Sequence, residues 1–213
     1  MYSPPPKDCP RCPRLVAFRQ KNQHKFPDKY NGAVPPFGPI TASLLVVGLA
    51  PGLKGANFTG RPFTGDYAGD VLYPSLVRAG FARGEYQARP DDGLEMLTVR
   101  ITNAVRCVPP QNKPVGEEMA NCLPFLQEEI AAMPELKAIL ALGGIAHKQT
   151  VKAFEKRQVN HPFGHRNRHD FGNVTVFDSY HCSRYNINTG RLTVEMFDDV
   201  LADINAWMNN KTR

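Results

Sequence analysis

Four strongly apolar runs, spread widely along the chain, constrain its fold more than any other feature. They are LLVVGLA from Leu44, LTVRITNAV from Leu97, AILALGG from Ala138 and VTVFDSY from Val174. Half-exposed antiparallel strands alternate polar and apolar residues, whereas these runs suit a parallel sheet that is buried on both faces. Parallel neighbours need long crossover connections, which are usually helices.

The segments between and after these runs carry helical patterns, as such crossovers require. We expect helices over about 67–79, 115–133 and 145–156, with a kink at Pro74 in the first and a restart near Pro124 in the second. The tail is the clearest helix, because apolar residues recur there every three or four positions: Val194, Phe197, Val200, Leu201, Ile204, Trp207 and Met208. The sequence therefore predicts an α/β fold, a three-layer α/β/α sandwich around a sheet of about four parallel strands.

The length of 213 residues suits one well-buried domain and is short for two. We expect a single domain over 1–213, with an irregular, proline-rich arm over about 1–43. No apolar run approaches the roughly 20 residues of a membrane span, and the start lacks the pattern of a secretion signal. The chain is therefore expected to be cytoplasmic, with no membrane partner. It is also expected to be monomeric.

The formal net charge of +6 favours an acidic partner, and a polyanion is the commonest one. One polar stretch concentrates basic and imidazole side chains. Contact with phosphates and a merely solvated loop explain this stretch about equally well. Its members are Arg157, His161, His165, Arg166, Arg168 and His169.

The carboxyl ends of three predicted strands lead into GLAPG, TNAVRC and SYHCSRYN, which are out of keeping with the apolar runs before them. Ligands of parallel α/β sheets bind beyond these ends, where loops converge. We expect one cleft to be lined by Phe63, Asp66, Asn103 and His181.

The stretch GRPFTGD, residues 60–66, packs two glycines, a proline, a ring and a carboxylate into one loop. A flat ligand would explain the ring, and a reaction would explain the acid. Each candidate also has a structural alternative: Phe63 as core, Asn103 as a turn residue, His181 as a hydrogen-bonded structural histidine, and Asp66 as the cap of a helix that begins near Tyr67.

Five cysteines are present, and two of them form CPRC at Cys9 and Cys12. In a cytosolic protein this spacing is more often a metal clamp or a redox pair than a disulfide, and its place in a proline-rich arm favours metal. Cys107 and Cys122, each close to prolines, are the natural other two ligands. Four thiolates suit zinc or an iron–sulfur cluster; the uneven spacing favours the cluster, and four unrelated buried thiols remain an alternative.

The segments GLAPG…GANFTGRPFTGD, TNAVRCVPPQN and HCSRYNINTGRLT, together with the four cysteines, resemble the uracil-DNA glycosylase superfamily, and most closely its family 5, the B-type iron–sulfur glycosylases. The similar family 4 typically carries a glutamate two places before the proline of the first motif and no carboxylate after the GRPF-like stretch. Leu49 and Asp66 occupy those two places here. One departure is Cys182, which stands where the family's His-Pro-Ser motif has proline, so this fifth cysteine is not counted as a ligand.

The resemblance implies an enzyme that excises a deaminated base from DNA, with a [4Fe-4S] cluster on Cys9, Cys12, Cys107 and Cys122. It further implies substrates that include uracil and deaminated purines such as hypoxanthine or xanthine. By the same resemblance, Asp66 and His181 are catalytic, and the flipped base is bound by Gly48, Ala50, Pro51, Gly52, Phe63 and Asn103.

The stretch after His181 resembles the loop that enters DNA where the base has left. Arg184 or Tyr185 would fill the gap, and Arg191 would hold a phosphate or form a structural ion pair. DNA contacts are therefore expected from Ser183, Arg184, Tyr185, Asn186 and Arg191.

Two other classes of function remain open at this point. A DNA-binding protein with a structural metal site would need no carboxylate in the cleft. A small-molecule nucleotide enzyme would need a phosphate cradle, and GLAPGLKGA is neither a G-x-G-x-x-G nor a P-loop.

Overall fold

The structure is a computed structural model that describes residues 2–210. In chain order its strands are β1 (Leu44–Gly48), β2 (Ala82–Arg83), β3 (Glu95–Met96), β4 (Val99–Asn103), β5 (Ala138–Leu142), β6 (Arg168–Asp170) and β7 (Thr175–Ser179). Its helices are α1 (Pro13–Lys25), α2 (Ala56–Thr59), α3 (Tyr67–Arg78), α4 (Gly116–Ala132), α5 (Gly144–Ala153), α6 (Arg184–Asn188) and α7 (Val194–Asn210).

The central sheet has the strand order β4-β1-β5-β7-β6. The first four strands run parallel, which confirms the predicted sandwich and its parallel core. Strand β6 pairs antiparallel with β7 and adds a fifth strand at one edge, while β2 and β3 form a separate antiparallel pair.

Both faces of the sheet are buried, which explains why the strands are continuously apolar. Leu44 and Val46 of β1 belong to an apolar cluster that includes residues of α3 and α7. Leu45 and Val47 point the other way, into a cluster that includes residues of α4 and α5. Successive side chains of a strand alternate between faces, so one strand contributes to both layers of the core.

The predicted helices form with small changes of boundary. The helix expected over 145–156 ends at Ala153, and Pro74 and Pro124 lie inside α3 and α4 without dividing either one. Helix α7 buries Phe197, Val200, Leu201, Ile204 and Met208, as the spacing of the tail predicts. In the part of the chain that the structure describes, no helix is long and apolar enough to cross a membrane.

Two regions correct the sequence analysis. The arm is not irregular throughout, because Pro13–Lys25 forms the 13-residue helix α1. The polar stretch is not simply a solvated loop, because its residues 168–170 form β6 and its His169 is buried. His169 and His147 each hydrogen-bond one carboxylate oxygen of the buried Asp178, so this edge of the sheet is held by a polar cluster.

Candidate active site

A cavity of about 420 Å³ opens at the carboxyl ends of β1 and β4, and it is called the cleft below. Of the predicted site residues, nine line it: Ala50, Pro51, Gly52, Phe63, Asp66, Asn103, His181, Ser183 and Arg184. A larger depression of about 820 Å³ lies elsewhere, against the start of the chain and α4, and none of the predicted site residues lines it.

Gly48 is the position that lets Asn103 and Phe63 approach each other. It ends β1 directly opposite Asn103, the last residue of β4. A Cβ at Gly48 would lie 2.5 Å from Asn103 Oδ1 and 2.5 Å from the ring of Phe63, too close for any side chain. Asn103 is therefore a buried strand residue rather than a turn residue, and Phe63 serves both the core and the wall of the cleft.

Asp66 occupies the N-cap position of α3, but its side chain makes no capping hydrogen bond. Its carboxylate accepts instead from the backbone N–H groups of Gly52 and Ala56 and packs on Gly55, where a Cβ would lie 2.0 Å from it. Burial raises the pKa of Asp66, against the opposing effect of those two N–H groups. The geometry thus contradicts the capping alternative and leaves a desolvated carboxylate on the wall of the cleft.

The neighbouring Arg61 does not neutralise Asp66. Its guanidinium forms two 2.7 Å hydrogen bonds with the carboxylate of Asp92, in the loop before β3. The hydrogen bonds from Arg61 hold the pKa of Asp92 at about 2, far below its usual value. The only basic residue of GRPFTGD is therefore committed to a partner outside the cleft.

His181 follows β7 and faces the same cleft from the other side. Its ring is inclined by 28° to that of Phe63, with the two centroids 6.0 Å apart. Burial lowers the pKa of His181 to about 4, so the imidazole is neutral at neutral pH and carries one N–H donor. Asn186 Nδ2 donates to the carbonyl oxygen of His181 over 2.8 Å and fixes the backbone there.

The segment after His181 forms the short helix α6 at the mouth of the cleft. Ser183 caps this helix by accepting from the backbone N–H of Asn186. Arg184 extends over the ring of Tyr67 at 5.2 Å, and Tyr185 is 72% exposed. Arg191 is exposed and lies 4.5 Å from the ring centroid of Tyr180, next to His181.

Cys182 does not belong to the cysteine site. It is fully buried, and its thiol donates to the carbonyl oxygen of Ala68 over 3.5 Å. The residue that replaces the family's proline therefore packs between the loop after β7 and the first turn of α3.

Sequence reasoning missed five residues that line the cleft: Leu49, Ala56, Tyr67, Ala68 and Asn112. Asn112 ends the motif TNAVRCVPPQN that indicated Asn103, so its place in the motif was a usable signal. Its left-handed backbone, with φ +56°, was not visible from the sequence. Tyr67 had no comparable signal in the sequence. It lines the cleft because the first turn of α3 lies against Arg184 of α6, which is a tertiary contact.

The four predicted metal ligands converge in space although they are far apart in sequence. Cys9, Cys12, Cys107 and Cys122 line one small, largely apolar cavity between the arm and α4. Burial raises the pKa of Cys107 to about 12, so its thiolate needs a compensating cation nearby.

Several groups around these sulfurs are placed to donate hydrogen bonds to thiolates. Arg19 Nη1 lies 3.9 Å from Cys107 Sγ, and Asn121 Nδ2 lies 3.7 Å from Cys12 Sγ. Such N–H···S contacts are the outer-shell partners that thiolate metal sites use. The donor set therefore fits a metal centre held by four thiolates.

Comparison with known proteins agrees with the fold and the cleft. Residues 35–205 match the model of the uracil DNA glycosylase superfamily. The chain is 42% identical to a type-5 uracil-DNA glycosylase of Thermus thermophilus, over 92% of this chain and 91% of that protein. It is 40% identical to a type-5 uracil-DNA glycosylase of Pyrobaculum aerophilum, over 91% and 86% of the two chains. A type-4 uracil-DNA glycosylase of the latter organism is 34% identical over 71% of this chain.

A match of this length excludes both the non-enzymatic DNA-binding protein and the small-molecule nucleotide enzyme. The parallel sheet with its ligand cavity at the strand ends, and identity of about 40% over nine-tenths of the chain, lead to one assignment. The chain belongs to the uracil-DNA glycosylase superfamily, among its type-5 enzymes, and acts on DNA.

Proposed function

We propose that this glycosylase takes uracil, hypoxanthine or xanthine out of the DNA stack into the cleft and hydrolyses the N-glycosidic bond, leaving an abasic site. The observation that carries the proposal is the largely buried carboxylate of Asp66, whose pKa burial raises, in a cavity shared with Phe63, Asn103 and His181. A base must leave the duplex before its glycosidic bond can be attacked, and this cavity offers it a place.

Three side chains of the cleft each match one part of a flipped uracil. The ring of Phe63 offers a stacking face. The amide of Asn103 donates to O4 and accepts from N3–H, since an amide carries both a donor and an acceptor. The neutral imidazole of His181 donates its N–H to O2, where negative charge grows as the bond breaks.

Asp66 acts on the sugar side of the same bond. When the bond breaks, its electron pair leaves with the base, and C1′ of the sugar gains positive charge. The carboxylate of Asp66 stabilises that charge and takes a proton from the water that adds to C1′. The departed base anion is protonated afterwards, so the reaction consumes one water in total.

Oligonucleotides that carry one deaminated base test this proposal. The protein is incubated with duplexes containing uracil, hypoxanthine or xanthine, and abasic sites are detected by alkaline cleavage. We expect cleavage at each of the three bases and none in a duplex with only normal bases. Retardation of the duplexes without abasic product would contradict the proposed reaction, and cleavage at uracil alone would restrict it to one base.

We also propose that Cys9, Cys12, Cys107 and Cys122 hold one [4Fe-4S] cluster, which ties the arm to the body of the protein. The four cysteines line one small cavity between the arm and α4. Zinc sites with four thiolates usually use a second C-x2-C pair, which Cys107 and Cys122 do not form. The uneven spacing of the four cysteines therefore suits an iron–sulfur cluster better than a single zinc ion.

Metal analysis distinguishes the [4Fe-4S] cluster from a single zinc ion. Protein purified without oxygen should be brown, absorb broadly near roughly 400 nm and contain about four irons per chain. Cys107→Ser should lose the colour, whereas Cys182→Ser, the matched control, should keep both colour and iron. Colourless protein with one zinc per chain would contradict the cluster.

A further inference from the structure

We propose that Tyr86 is a positioning residue for the reaction, because its hydroxyl holds Phe63 in the backbone conformation that presents the ring to the cleft. This inference rests on the stacking role proposed for Phe63. Tyr86 does not line the cleft itself, so it acts through Phe63 rather than on the base.

Phe63 has a backbone conformation that bulky residues rarely adopt. Its φ is +54°, in the left-handed region, where the Cβ of a residue other than glycine crowds the neighbouring backbone. Such residues persist only when the surrounding structure holds them, and they concentrate at functional sites. Some group must therefore supply the restraint at Phe63.

The hydroxyl of Tyr86 supplies it from one side. It donates to the carbonyl oxygen of Phe63 over 3.2 Å and accepts from the backbone N–H of Gly65 over 3.1 Å. One phenol oxygen can do both, because it has one donor and two acceptor lone pairs. The two bonds span Thr64 and fix the peptide groups on either side of it.

Tyr86 is in turn placed by buried neighbours. Its ring stacks on that of Tyr73, with centroids 4.7 Å apart and an angle of 27°, and the hydroxyl of Tyr73 donates to the carbonyl oxygen of Pro62. The Arg61 guanidinium lies 5.8 Å from the ring centroid of Tyr86. Consecutive carbonyls, those of Pro62 and Phe63, are thus each held by a tyrosine hydroxyl.

The ion pair of Arg61 and Asp92 ties the loop of Tyr86 to the loop of Phe63. Arg61 Nε donates to Thr64 Oγ1 over 2.7 Å while both its terminal nitrogens bind Asp92. Asp92 also accepts from the backbone N–H groups of Gln87 and Leu94. The set Arg61, Tyr73, Tyr86 and Asp92 is called the brace below, and it connects the loop of Phe63 with the loop of Tyr86 and Asp92.

A double-mutant cycle tests the coupling between Tyr86 and Phe63. Glycine at position 63 adopts a φ of +54° without strain and has no ring. In Phe63→Gly, the hydroxyl of Tyr86 therefore has no strained backbone and no ring to hold in place. The measured quantity is the single-turnover rate of uracil excision from saturating duplex. We expect Tyr86→Phe to slow the parent about tenfold, as a small misplacement of a stacking group does, and to slow Phe63→Gly less than about twofold.

Tyr30→Phe is the matched control. It removes a partly buried hydroxyl that donates to the carbonyl oxygen of Ala33 over 2.9 Å, and it lies outside the brace. We expect it to leave the rate unchanged. Equal losses from Tyr86→Phe in both backgrounds, or an equal loss in Tyr30→Phe, would overturn the inference.

A second measurement holds even if Phe63→Gly is too slow to assay. The amide proton of Gly65 should exchange at least about tenfold faster in Tyr86→Phe, because it loses its acceptor. Unchanged exchange would overturn the inference.

Failure of the proposed function gives a different result from failure of this inference. If the proposed function is wrong, the parent itself releases no uracil, or Phe63→Gly keeps the parent's rate.

Discussion

The brace and the cleft share the loop of Phe63, and each contains an aspartate whose pKa is shifted in the direction opposite to that of the other. In the brace, the guanidinium of Arg61 and two backbone N–H groups hold the pKa of Asp92 at about 2. In the cleft, burial raises the pKa of Asp66, whose carboxylate accepts from backbone N–H groups. The surroundings alone thus shift the pKa of the same chemical group down in one place and up in the other, and the proposed mechanism uses the second.

The arginines of the two regions differ in the same way. Arg61 is 5% exposed, and its guanidinium binds Thr64 and Asp92. Arg184 is exposed at the mouth of the cleft and lies over the ring of Tyr67. The ion pair of Arg61 holds the loop of Phe63 in place, whereas the exposed guanidinium of Arg184 is available to bind a substrate. Changes in the cleft should therefore alter the rate, and loss of the Arg61–Asp92 ion pair should alter stability first.

The largest expected effect is that of Asp66→Asn on the rate. Asparagine keeps the size of the side chain but removes its charge and its ability to accept a proton. Loss of a general base and charge stabiliser should cost about 10² to 10⁴ in rate, roughly 3 to 5 kcal/mol. We expect single-turnover excision of uracil to fall at least about a hundredfold.

The same variant should remain folded and should still bind DNA. Asparagine keeps one acceptor oxygen for the backbone N–H groups and removes a charge that burial disfavours, so the midpoint in urea should stay close to that of the parent. A rate within about threefold of the parent would show that Asp66 is not needed for the reaction, and His181 would then be the main catalytic group.

The contrast also shows what a sequence can and cannot reveal. The apolar runs and the tail of α7 predicted the parallel sheet and its helices, because burial on both faces leaves a pattern in each segment by itself. The convergence of Phe63, Asp66, Asn103 and His181 followed from the rule that strand ends share one edge.

The brace left no such pattern. Arg61 and Asp92 are 31 residues apart, and nothing local marks them as partners. Strand β6 escaped notice for a related reason, since its buried His169 is explained only by Asp178 on the neighbouring strand. Pairing between buried polar groups is a tertiary property, whereas hydrophobic periodicity is a local one.

Asp92→Asn should have the next largest effect, this time on stability. It leaves the buried guanidinium of Arg61 without its countercharge, and breaking a buried pair typically costs about 3 to 5 kcal/mol. The free energy of unfolding in urea measures the loss. Asp198→Asn is the control, because its pair with Arg78 is largely exposed and should contribute less than about 1 kcal/mol. Equal losses in the two variants would contradict the structural role of Asp92.

Arg184→Ala should have a smaller effect, and one that depends on the substrate. A flipped base leaves a gap only in duplex DNA, so a side chain that fills the gap matters only there. We expect excision from duplex to slow about tenfold and excision from single strands to slow much less. Arg166→Ala, an exposed arginine that pairs with Asp203 away from the cleft, should change neither rate. Equal loss on both substrates in Arg184→Ala would exclude the gap-filling role.

The smallest effect expected is that of pH, and it separates the two carboxylates without any mutation. Because the pKa of Asp92 is lowered, its contribution to stability is complete above its unfolded pKa of about 3.9 and is lost only as pH falls toward about 2. Because the pKa of Asp66 is raised, Asp66 takes up its proton at higher pH than Asp92 does, and the reactive carboxylate is lost first.

Single-turnover rates and urea midpoints, both measured from pH 8 down to pH 4, therefore should not follow the same curve. His181, with its pKa of about 4, stays neutral over most of this range, and the rate should begin to fall at higher pH than the urea midpoint because Asp66 is protonated before Asp92. This loss is smaller than that of Asp66→Asn, because protonation is partial whereas the substitution removes the charge from every molecule. Asp66→Asn should show no such decline in its residual rate. A rate that declined only together with the urea midpoint would mean that acid acts by unfolding the loop, and the two carboxylates would then not be functionally distinct.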